Sequence, residues 1–135
     1  RHPLARALRP GAHVLLALQQ VALSFLDRSA ATTIPFWQMV AAPLDELTRR
    51  ATSVVQAAGV GEVVASDAIP GAGSAPGTTI PSVAVRVPGD LLGALREQHP
   101  PVVARTRDGA TLLDLRSVHP SDDAHLADAI RTCAS

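Results

Sequence analysis

The chain has 135 residues, 47% of them apolar, with twelve basic residues balanced by twelve acidic ones. This size and composition fit one domain with a real core and argue against global disorder. Zero formal net charge and a pI near 7.2 argue against strong non-specific attraction to nucleic acid or membrane, so any anion site has to be local.

Three arginines and a histidine open the chain, in "RHPLARALRP". Arg6 and Arg9 are three residues apart, so one helical turn would point both the same way. Apolar neighbours make such a pair costly unless a carboxylate or a bound anion answers it. A structural salt bridge and an anion site both remain open on the residues alone. All twelve basic residues are arginine. Without lysine the chain offers no side-chain amine for Schiff-base or lysine general-base chemistry.

Residues 11–28 predict a helix behind Pro10-Gly11, because Val14, Leu15, Leu18, Val21, Ala22, Phe25 and Leu26 recur at helical steps. A short helix is expected between Pro35 and Pro43. The next helix, 43–58, has Pro43 at its first position, Asp45 and Glu46 in its first turn, and Arg49 and Arg50 each at i+4 from them. Its stripe is Leu44, Leu47, Ala51, Val54, Val55 and Ala58, and Gly59 stops it.

A strand over 61–69, a Gly/Pro loop over 70–81 and a strand over 82–88, with Val83, Val85 and Val87 on one face, follow. Residues 89–99 predict a helix with Asp90 as N-cap. Residues 100–118 read as a hairpin about Asp108-Gly109, with Arg105 and Arg107 on one side and cross-strand charge pairs on a solvated face. A terminal helix over 119–134 has Ser121 as its cap and Asp122 and Asp123 in its first turn. The order predicts an α/β (α+β) fold: a small antiparallel sheet of about four strands with helices packed on one face.

Other chemistry is sparse. The five histidines are scattered, with no i,i+4 pair, so no metal site is expected. No nucleophile-elbow motif frames a serine. "GAGSAPG" runs between two strands and lacks a lysine, unlike a phosphate loop. Cys133, the single cysteine, reads as a structural or incidental thiol and not as a nucleophile. No apolar run reaches membrane-span length, so no membrane partner is expected and the cytoplasm is the default location.

Four ordered segments carry a resemblance: "HPLARALR" at 2–9, "IPFWQMVAAPLDEL" at 34–47, "GAGSAPGTTIPS" at 71–82 and "PPVVARTRDGATLLDLRSV" at 100–118. Together they resemble the C-terminal portion of bacterial L-seryl-tRNA(Sec) selenium transferase, or selenocysteine synthase, a fold-type-I pyridoxal-phosphate (PLP) family. The resemblance implies a transferase of selenocysteine biosynthesis. Its substrates would be seryl-tRNA(Sec) and selenophosphate, its cofactor PLP, and its state a homo-oligomer. The sheet would be that of the family's C-terminal domain. Residues 1–33 would be an active-site segment and linking helix, and 34–135 the small domain.

The family's motif implies that Arg6 and Arg9 bind the phosphate-like anion of the selenium donor. The family's Schiff-base lysine lies shortly before this motif, so the chain is expected to be a fragment without a catalytic residue of its own, inactive alone. The sequence departs from the family at "PGAH" (10–13), at Gln19, and at "GAGS", where three glycines are common. Two alternatives stand beside this reading: the C-terminal domain of another fold-type-I PLP transferase, and a non-enzymatic interaction module.

Overall fold

In the computed structural model, residue 4, residues 8–71 and residues 77–135 are described. The chain divides into two compact units, 1–41 and 42–135.

The first unit is helical: α1 (Ala12–Leu26), α2 (Ala30–Thr33) and α3 (Pro35–Ala41). Helix α1 starts at Gly11, whose carbonyl accepts from the Leu15 amide at 3.3 Å. It ends two residues earlier than its periodicity predicts. Arg28 adopts φ 61°, a left-handed conformation that closes the helix without a glycine. Asp27 then accepts from the Ser29 amide at 2.9 Å, and this pairing with the Ser29 hydroxyl and amide holds its carboxyl below the usual aspartate range. Trp37 meets Phe25 and Phe36 edge-on, at centroid distances of 6.0 and 5.1 Å.

The second unit is the expected α/β arrangement. One antiparallel sheet, in the order β1-β2-β4-β3, comprises β1 (Glu62–Ala68), β2 (Ile80–Pro88), β3 (Arg105–Arg107) and β4 (Ala110–Asp114). One face carries Val83, Val85, Val87 and Leu113. Against it pack α4 (Leu44–Ala58), α5 (Leu92–Arg96) and α6 (Asp123–Cys133) through Leu47, Ala51, Val54, Leu95, Leu126 and Ile130. Asp108 (φ 51°) and Gly109 (φ 71°) form the two-residue turn between β3 and β4. Gly59 (φ 74°) ends α4, donating to the Val55 carbonyl at 2.9 Å.

The differences from expectation have local causes. Pro43 is the N-cap of α4 and its first helical residue is Leu44. Helix α5 is five residues, because the chain before it is committed to a turn: buried Thr111 accepts from the Leu91 amide and donates to the Gly89 carbonyl. Asp90 is not its N-cap, which is Leu91; the Asp90 carboxylate instead accepts from the Leu92 amide at 3.1 Å, one residue ahead of the cap. The run Pro100–Ala104 is not strand. Its two prolines lack N–H donors, and the Val102 amide goes to the Leu95 carbonyl instead. Ser121 is not the cap of the last helix. A 3-10 turn, Pro120–Asp122, precedes α6, and it is His119 Nδ1 that accepts the Ser121 amide at 3.3 Å.

Candidate functional site

The sequence points first to Arg6 and Arg9. Arg6 lies outside the described residues. Arg9 is exposed and non-helical, directly before Pro10-Gly11 and α1. The Leu8 amide, just before it, donates to the Leu4 carbonyl at 2.9 Å. Among the described residues no carboxylate pairs with Arg9.

The other arginines are treated differently. The i,i+4 pairing expected between Glu46 and Arg50 does not form. Arg50 is buried, and its Nε and Nη2 donate side-on to Asp123 Oδ2 and Oδ1 at 2.8 and 2.7 Å. Its Nη1 and Nη2 also donate to the Leu115 and Val118 carbonyls at 3.3 and 2.8 Å. One guanidinium thus ties α4, the turn after β4, and α6. Arg116, also buried, donates to the Ala42 and Pro81 carbonyls at 3.0 and 2.7 Å, fixing the start of α4 to β2. Both guanidiniums are buried and fasten elements of the second unit to one another.

The sheet face opposite α4 and α6 carries the second cluster. Asp114 accepts from Ser82 Oγ (2.5 Å), Ser66 Oγ (3.1 Å) and the Arg116 amide (3.0 Å). Arg105 reaches over this face to Ser66 Oγ at 2.5 Å and stands 3.9 Å from Asp114. Arg86 pairs with its register partner Glu62 at 2.7 Å, and Arg107 with Asp108 at 3.4 Å. Of the cross-strand charge pairs expected in the hairpin, Arg105–Asp114 is present, whereas Arg107 meets its chain neighbour Asp108; Glu62–Arg86 is a further pair, between β1 and β2. Every arginine on this face already meets a carboxylate, which leaves little net field to draw an anion.

Among the described residues no group of three His, Cys, Asp or Glu side chains is arranged to hold a metal. No helix among them is long and apolar enough to cross a membrane. The residues present do not fit covalently held PLP: with no lysine in 135 positions, they supply no amine for the cofactor's aldehyde.

Comparison with known proteins sets this geometry in a family. The L-seryl-tRNA selenium transferase (SelA) family model matches residues 1–119, from the N-terminal arginine segment through the sheet. The L-seryl-tRNA(Sec) selenium transferase of Moorella thermoacetica is 33% identical, over 96% of this chain and 30% of its own length. That of Hyphomonas neptunium is 30% identical, over 99% of this chain and 32% of its own length. That of Carboxydothermus hydrogenoformans is 26% identical, over 87% of this chain and 28% of its own length. The chain spans about three-tenths of the length of these relatives. With its family-model match running from the arginine segment to the last strand, the chain belongs to the L-seryl-tRNA selenium transferase family.

Proposed function

We propose that the chain is the C-terminal part of a PLP-dependent L-seryl-tRNA(Sec) selenium transferase, which converts seryl-tRNA(Sec) to selenocysteinyl-tRNA(Sec) with selenophosphate. Residues 1–33 form its active-site segment and linking helix, and 34–135 its small domain. The observation that carries this reading is the family match through "HPLARALR" and onward over 119 positions. Arg6 and Arg9 are the oxyanion ligands for the selenium donor. A guanidinium suits this task because it forks two N–H donors toward an oxyanion and keeps its charge at any working pH. The exposure of Arg9, with no carboxylate partner among the described residues, supports that role. So does the internal charge balance of the sheet face, which makes the small domain a poor rival site.

In this reading the cofactor and its lysine belong to the rest of a cytoplasmic, homo-oligomeric parent, and the 135-residue chain is inactive alone. The test compares two preparations. The full-length protein is expected to form selenocysteinyl-tRNA(Sec) from seryl-tRNA(Sec) and selenophosphate. The 135-residue chain is expected to form none, and to retain no cofactor when mixed with PLP and reduced with borohydride. A full-length protein inert toward seryl-tRNA(Sec) but active on free amino acids would replace this reading with another PLP transferase.

A further inference from the structure

We propose that the outer edge of β1 pairs antiparallel with β1 of a second copy of the chain, about a two-fold axis at Ala65. The two edges of the sheet differ. β3 is three residues long, and shortness is one way proteins blunt an edge. β1 runs seven residues, each in unbroken register with β2, so no bulge interrupts it. It carries neither Pro nor Lys, and among the described residues no strand pairs with its outer side. A cleft of about 730 Å³ follows this strand on both flanks, lined by Leu44, Val63 and Ala65 on the helix side and by Ser66 and Arg105 on the other.

The strand's own sequence favours a second copy as the occupant. Pairing about Ala65 sets Glu62 opposite the partner's Ala68, Val63 opposite the partner's Asp67, and Val64 opposite the partner's Ser66. No like charges face each other, and the small residues Ala65, Ser66 and Ala68 allow close approach. Directly opposed residues share a face. Glu62 therefore joins the row holding the partner's Ser66 and Ala68, where Arg105 lies, donating to Ser66 Oγ and the Asp67 carbonyl. Two symmetric Glu62–Arg105 pairs become available. Glu62, 60% exposed in its present pair with Arg86, gives up little, since exposed ion pairs contribute little.

Seven paired residues bury less than the roughly 1,200 Å² of a stable interface. The contact is thus one part of a larger assembly and weak by itself. It specifies a surface for the homo-oligomer proposed above but is independent of the substrate, so failed selenium transfer would not remove it.

Disulfide trapping tests the pairing in the 135-residue chain carrying Cys133→Ser. The two Ala65 Cα atoms would lie roughly 4.5–5.5 Å apart, within disulfide reach. The two Val63 positions would be separated by about 14 Å along the strands. Under mild oxidation Ala65→Cys is expected to form covalent dimer at least ~10-fold faster than Val63→Cys, given that reach. Glu62→Arg should slow trapping, and adding Arg105→Glu should restore it. Equal rates at the two positions, as association through the apolar α1 would give, overturn the proposal. So does an Ala65→Cys chain that stays monomeric.

Discussion

The two units treat the same residue types in opposite ways. In 42–135 the apolar stripe of α4 is covered by the sheet and α6, and its inward arginine is answered by Asp123 and two carbonyls. In the first unit α1 is a fifteen-residue helix without one charged residue, yet none of its residues is buried. Leu15, Leu16 and Leu18 are each more than half exposed. A helix apolar on most sides is ordinarily enclosed by protein. Residues 42–135 thus complete their own core, whereas the first unit has no buried residue in its longest helix. An apolar helix without cover inside its own unit is a surface that association with further protein would bury.

Matched substitutions can break this contrast. Leu47→Ala, at a fully buried position, should cost about 3 kcal/mol in denaturant unfolding of the chain. Leu15→Ala in α1 should cost less than ~0.5 kcal/mol. Equal costs would mean that α1 is as well packed as α4. Asp123→Ala strands the buried Arg50 guanidinium and should also cost about 3 kcal/mol, whereas Asp128→Ala, which removes the exposed pair with Arg131 on α6, should move the midpoint little.

Smaller effects sharpen the account of how α1 ends. Arg28→Gly relieves a left-handed residue and should raise the stability of the first unit by about 1 kcal/mol, read as helix content against temperature. The smallest effect is a titration. The lowered pKa of Asp27 means that its contribution is present above the unfolded value and is lost as pH falls through the folded one. The carboxyl resonance of Asp27 should therefore titrate below 3.8 and move back toward that value in Ser29→Ala.

Much of the second unit was legible in the sequence because local and tertiary signals agreed. Alternating Val83, Val85 and Val87 marked the inner face of β2, Asp108-Gly109 marked the turn, and Gly59 marked the end of α4. Errors arose where a distant partner outbid a near one. Glu46 and Arg50 have ideal i,i+4 spacing, yet Arg50 turned to Asp123, 73 residues away. A signal for this existed: Arg50 is three residues after Leu47 and four before Val54, so it sits on the apolar stripe and must face inward. No local pattern announces that Thr111, from another strand, ties up the turn before α5, so the sequence predicts a longer helix there than forms. Arg6 and Arg9 were singled out by their motif and by charge among apolar residues. Those are chemical signals, and they are independent of what surrounds the segment in space.

The central claim is that Arg9, and not the arginines of the sheet, meets the selenium donor. Its most direct test is the selenophosphate dependence of selenium transfer in the full-length protein, comparing Arg9→Ala with Arg107→Ala. Loss of a charged hydrogen-bond donor to the anion predicts that Arg9→Ala raises the KM for selenophosphate about 10-fold or more, while Arg107→Ala leaves it unchanged. An unchanged KM in Arg9→Ala, or an equal rise in both variants, would contradict the account.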